Sequence, residues 1–185
     1  MMIHFFPYLF FIGLILLIPI LIISRVAGKP ASRLLIYSMM WVYLLLVGGL
    51  TIFPIPYNGD FLNLKPLDQL GLVLSRINWI PFHNLNWYNG KILLIDYINN
   101  ILLTIPFGIL INFFVKLNWK TIFWVFLASG LVIETSQFIM SLFFGPYRTV
   151  DINDVILNTL GSLIGCLLFI AAAWIVHKPG KPTLK

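Results

Sequence analysis

The chain has 185 residues, of which 60% are hydrophobic and 10% charged, with a formal net charge of +6. Soluble domains average about 25% charged residues, so the composition excludes an ordinary soluble enzyme or binding domain. The basic excess is not a nucleic-acid signal either, because lysines and arginines sit at the ends of apolar runs, where they set membrane topology.

The first apolar run, 5–23, carries no charge and is followed, not preceded, by Arg25, Lys29 and Arg33. A secretory signal would show the opposite charge order and a small-residue cleavage site, so the run reads as a retained transmembrane helix. Crossing the hydrocarbon takes ~20 residues at ~1.5 Å each. Pro7 and Pro19 lie near its ends, where proline is least disruptive. The second run, 34–53, is also uncharged and stops at Pro54 and Pro56.

Residues 54–91 form the longest segment without a span. They hold six asparagines (58, 63, 78, 84, 86 and 89), together with Trp79 and Trp87. Residues 67–77, with Asp68 and Arg76 near the two ends, suit a short interfacial helix, and the tryptophans suit the headgroup level. A connection this long is usually functional.

The third run, 92–115, contains Asp96, Asn99, Asn100 and then Pro106-Phe107-Gly108; the proline frees a carbonyl and is expected to kink the helix. Lys116 and Lys120 bracket a short turn. The fourth run, 121–144, has Glu134 as its sole charge. The fifth, 155–176, is uncharged and ends in a basic tail, 177–185, read as cytoplasmic. Residues 1–176 are thus one membrane domain of all-α class, a polytopic transmembrane helical bundle of about five spans. Placing the N-terminus outside and the C-terminus inside puts eight basic residues on cytoplasmic segments and four on outer ones, which satisfies the positive-inside rule. Loop 54–91 is then external.

This topology sets the depth of the polar groups. Asp96 lies ~6 Å, Asn100 ~12 Å and Glu134 ~12–15 Å below the outer face, from the helical rise. Gln137 follows Glu134 by three positions and shares its neighbourhood. Asp151, Asp154 and Asn158 form one stripe at the start of the fifth span. A charge at the bilayer centre costs about 2.5–3.5 kcal/mol on insertion scales. The expected outcome is therefore convergence: an external polar pocket with Glu134 at its floor and Arg148 at its rim.

A purely structural reading stands beside this one. Asp151 and Asp154 suit the capping of the fifth span, and Arg148 is placed to pair with either. Asn99, Asn100 and Gln137 suit interhelical hydrogen bonds, worth about 0.6 kcal/mol each. Gly161 and Gly165 form a small-xxx-small pair for close helix approach. His4, His83 and His177 have no metal-ligand spacing. There is no Gly-rich phosphate loop, G-x-S-x-G or H-E-x-x-H, so neither metal nor cofactor is expected. The lone Cys166 cannot form an internal disulfide.

Two blocks of sequence resemble the VanZ-like family of bacterial membrane proteins, named for a factor associated with teicoplanin resistance. One is Asn100 through Thr104 to Pro106-Phe107-Gly108. The other runs from Glu134-x-x-Gln137 through Arg148-x-x-Asp151-x-x-Asp154-x-x-x-Asn158-x-x-Gly161-x-x-x-Gly165. Thr104 departs from the bulky aromatic more usual in that family. The resemblance implies a multi-pass protein of the bacterial plasma membrane and reduced susceptibility to teicoplanin-type lipoglycopeptides. Its partner would be a membrane lipid or a lipid-linked envelope component, with no nucleic acid.

Three mechanisms follow. A binding protein would hold a lipid headgroup through Asn100, Gln137, Arg148, Asp151 and Asn158. A membrane enzyme on a lipid or polyprenyl-phosphate would use Glu134 as acid–base and Asp154 and Asn158 to orient substrate or a divalent cation, with Arg148 on a phosphate or carboxylate. A transporter ranks last, because the inner half has no matching polar series.

Overall fold

The computed structural model describes residues 2–3, 6–56, 58–82, 90–115 and 118–176. Five helices in it are long and apolar enough to cross a membrane, which makes the chain a multi-pass all-α bundle. In chain order the helices are α1 (Phe6–Val26), α2 (Ala31–Ile52), α3 (Gly59–Leu62), α4 (Pro66–Leu74), α5 (Gly90–Leu110), α6 (Trp119–Phe144) and α7 (Ile152–Val176). Trp87, the three histidines, Lys116 and the tail 177–185 lie outside the described residues.

The bundle buries small and polar groups and exposes its large aliphatics. Thr104, Asn153, Asn158 and Ser162 are buried, whereas Ile15, Ile23, Leu35, Leu50 and Leu102 are exposed. Lipid is as apolar as leucine, so helix association rests on close packing and interhelical hydrogen bonds. The tightest contact is between α5 and α7. A Cβ on Gly161 would overlap the Ile101 carbonyl, one on Gly165 the Ile105 carbonyl, and one on Gly108 the Ser162 carbonyl. The two backbones therefore touch directly, and the Thr104 hydroxyl crosses the seam to donate to the Asn158 carbonyl at 2.8 Å. Thr104 sits against Gly161, so this seam has room for a threonine and for nothing much larger.

On the other side of α7, Gly130 of α6 lies against the Val155 carbonyl, and Phe126 of α6 is fully buried against the Phe107 ring. At the opposite edge α1 packs on α2. Trp41 Nε1 donates to the Gly13 carbonyl at 2.8 Å, which uses the ring nitrogen inside the membrane layer.

Two expectations are corrected. The third apolar run does not continue as α-helix to residue 115: α5 ends at Leu110 and passes into a 3-10 turn, Ile111–Phe113. The Asn112 side chain donates back to the Gly108 carbonyl at 2.6 Å, taking an acceptor at the helix end. Pro106 lies inside α5, which runs through it without interruption. The helix expected over 67–77 is also shorter. It stops at Leu74 because Ile77–Asn78 (β3) pairs in parallel with Val150–Asp151 (β4). A second short pair joins Met2–Ile3 (β1) to Ile55–Pro56 (β2). Within the long connection α3 is capped by Asn58, and Phe61 and Val73 anchor the segment by burial.

Candidate functional site

The site is built where α6 hands over to α7. Gly145, at φ +97°, ends α6 in a conformation that favours glycine. The turn after it reaches back to α2: the Tyr147 hydroxyl donates to the Ile52 carbonyl at 3.1 Å. Arg148 Nη2 donates to the Leu50 and Phe53 carbonyls at 3.0 and 3.2 Å. These carbonyls belong to the C-terminal end of α2, where orphan acceptors and a negative dipole end favour a cation. Burial pushes the Tyr147 phenol above its ordinary pKa, against a smaller lowering by Arg148, so it stays a neutral donor. Among the described residues Arg148 makes no ion pair, so the expected pairing with Asp151 or Asp154 is corrected. The guanidinium caps a helix end instead of locking the α6–α7 hairpin.

Asp151 precedes the first turn of α7 and caps it, its Oδ1 accepting the Asn153 N–H at 2.8 Å. The same oxygen accepts Asn78 Nδ2 at 3.0 Å, and the Asp151 N–H donates to Glu134 Oε2 at 3.1 Å. Asn153 Oδ1 accepts the Phe82 N–H at 2.8 Å. The long connection, α6 and α7 are thereby tied at one point. One turn into α7, Asp154 Oδ1 accepts Asn100 Nδ2 from α5. Gln137 Nε2 donates to the Thr51 carbonyl of α2 at 3.3 Å.

Five of the sequence-predicted residues, Asn100, Gln137, Arg148, Asp151 and Asp154, line one cavity of about 790 Å³ at this end of the bundle. Asp96, Asn99 and Tyr97 of α5 complete its polar wall, and Leu50, Leu102 and Leu103 form an apolar edge. Glu134 is not at its floor, which corrects the expectation. It borders a second cavity of about 310 Å³ with largely apolar walls that include Trp79, Leu131, Phe138 and Val155. Asp151 belongs to both cavities. Glu134 is 4% exposed, and its Oε1 has no hydrogen-bond partner among the described residues.

Asn158 lines neither cavity. It is fully buried, its side chain has no partner among the described residues, and its carbonyl is what Thr104 binds. Gly108, Gly161 and Gly165 serve the α5–α7 seam, while Phe107 packs on Phe126. Among the described residues no three His, Cys, Asp or Glu side chains are grouped to hold a metal ion.

Sequence reasoning did not single out Asn78, Asn153 or Tyr147. Asn153 adjoins Asp154, and its place in the first turn of α7 could have marked it as a loop anchor. Asn78 and Asp151 are 73 residues apart, and no local pattern links them.

A model of the VanZ/LLP1 family matches residues 40–175. The chain is also similar to Protein VanZ of Enterococcus faecium, with 29% identity over 143 residues that cover 77% of this chain and 75% of that one. No solved structure matches the chain. The matched residues take in α5 and α6 whole and α7 as far as Ile175, together with every residue named in the polar cavity, and the chain belongs to the VanZ/LLP1 family.

Proposed function

We propose that this protein sits in the bacterial plasma membrane with the polar cavity facing outward. There it lowers susceptibility to teicoplanin-type lipoglycopeptides by binding a lipid or lipid-linked headgroup. The observation that carries the reading is the shared cavity of Asn100, Gln137, Arg148, Asp151 and Asp154, which draws on α5, α6, α7 and the turn between the last two. A polar cavity with an apolar edge suits a molecule that is itself polar at one end and apolar at the other. The positive-inside charge distribution supports the orientation, and the family resemblance supports the link to the drug.

Binding is favoured over catalysis by the placement of the two carboxylates. An acid–base role for Glu134 on a substrate oriented by Asp154 needs both at one substrate, and they border different cavities. The test is susceptibility of a sensitive Gram-positive host expressing wild type or Asp154→Asn at matched membrane levels. Teicoplanin is compared with vancomycin, which lacks the lipid tail. Protection by the wild type against teicoplanin alone, lost in Asp154→Asn, is the expected result. Equal protection by both proteins would remove the cavity from the function.

A further inference from the structure

The charge on the walls of the 790 Å³ cavity is lopsided. Three carboxylates, Asp96, Asp151 and Asp154, border it against one guanidinium, Arg148. Among the described residues, Asn100 Nδ2 is engaged by Asp154 and Gln137 Nε2 by the Thr51 carbonyl, while the Asn99 amide on the same wall makes no hydrogen bond. Most of the acceptors are open as well. Among the described residues, both oxygens of Asp96, Oδ2 of Asp151, Oδ2 of Asp154 and Oε1 of Gln137 accept nothing. Gln137 is 7% exposed, so its free oxygen belongs to a side chain that is buried and borders the cavity.

Unmet acceptors and an excess of carboxylates at the edge of a membrane layer call for a ligand that brings both N–H donors and positive charge. A bare metal ion would not fill the volume. A quaternary ammonium has charge but no N–H, and an alcohol has one donor and no charge. A primary ammonium supplies three donors and the charge. Among the described residues Arg148 engages only Nη2, leaving Nη1 and Nε for an anionic group beside it. At the apolar edge, Leu50 of α2 and Leu102 of α5 are 64% and 57% exposed, apolar surface that acyl chains would cover in a membrane.

We infer that the cavity selects an amine-bearing phospholipid headgroup. Its ammonium sits among Asp96, Asp151 and Asp154, its phosphate beside Arg148, and its chains leave past Leu50 and Leu102. The inference rests on the reading of this cavity as a lipid-headgroup site, and it names the class of lipid.

The experiment uses purified full-length protein in neutral detergent. It measures retention of lyso-phosphatidylethanolamine, lyso-phosphatidylcholine and lyso-phosphatidylglycerol by native mass spectrometry. The three share a phosphate and a chain and differ in carrying a primary ammonium, a quaternary ammonium or hydroxyls. Retention of the ethanolamine lipid about tenfold above the other two is expected, on the scale of one charge-assisted hydrogen bond. Asp96→Asn should bring it down to their level. Asp96 is exposed and makes no hydrogen bond among the described residues, so this variant is expected to fold, as checked by helical circular dichroism. Asp154→Asn is the second variant should it not. Equal retention of all three lipids, or an ethanolamine preference unchanged in the folded variant, overturns the inference. Amine selectivity without drug protection would overturn the drug reading and leave this one standing. Drug protection without amine selectivity would do the reverse.

Discussion

The backbone N–H of Asp151 donates to Glu134 Oε2 across 3.1 Å. This bond fastens the start of α7 to the middle of α6, and the oxygen of Asp151 that caps α7 also takes the Asn78 amide. Glu134 thus holds the wall that Asp151 shares between the two cavities, and its part in the site is to position that wall.

That role predicts how Glu134 variants behave. Glu134→Gln keeps an oxygen acceptor for the Asp151 N–H and should melt within about 1 kcal/mol of wild type, the net worth of a neutral hydrogen bond. Glu134→Leu leaves the N–H without its acceptor and should lose about 1–3 kcal/mol. Thermal unfolding in detergent measures both. A leucine variant as stable as wild type would remove Glu134 from the latch.

The α5–α7 seam predicts a sharp contrast among glycines. Gly161→Ala or Gly165→Ala places a methyl on a facing carbonyl and should cost about 1–3 kcal/mol, the usual penalty of overpacking. Gly71→Ala in α4 meets nothing within 4 Å and should gain about 0.5–1 kcal/mol from helix propensity. Melting temperatures of the three variants decide the matter.

Thr104 makes the same seam chemically specific. Thr104→Val keeps the shape and loses the donor to the Asn158 carbonyl, and should cost about 0.6 kcal/mol, the typical worth of an interhelical hydrogen bond in a membrane. Thr104→Phe, closer to the family's usual residue, should cost more here, because Gly161 already lies against the threonine. Equal melting temperatures for Phe and wild type would show that the seam can open.

Arg148 joins the α6–α7 turn to the end of α2 through two carbonyls. Arg148→Ala should free the turn and raise its cleavage rate in limited proteolysis several-fold, with the five spans intact by circular dichroism. Arg148→Lys keeps the charge at the helix end but presents a single ammonium, and should restore part of the protection. Unchanged cleavage in Arg148→Ala would mean that Tyr147 alone secures the turn.

Much of the site was legible before any coordinates. The stripe of Asp151, Asp154 and Asn158, the positions of Asn100 and Gln137 along their helices, and the glycine pair in α7 all follow from helical spacing; the structure brings Asp151, Asp154, Asn100 and Gln137 to one cavity, whereas Asn158 lines neither. Glu134 was assigned to the wrong cavity for a geometric reason. Glu134 and Gln137 share a neighbourhood along α6, but three residues of helix turn them about 60° apart around the axis. That angle is enough to place one on the apolar cavity and the other on the polar one.

Two things follow from the residues alone: that five stretches are long and apolar enough to cross a membrane, and how far along its helix each polar group lies. Both are lengths along a helix, set by a fixed rise per residue against a fixed thickness of hydrocarbon. Rotation and partnership came only with the tertiary structure. Backbone contact at Gly108, Gly161 and Gly165 decides which faces of α5 and α7 meet. The turn after Gly145 decides that Arg148 reaches helix-end carbonyls and, among the described residues, pairs with no carboxylate. A pairing across 73 residues decides that Asn78 closes on Asp151. These are choices among neighbours distant in the chain, and no local periodicity encodes them.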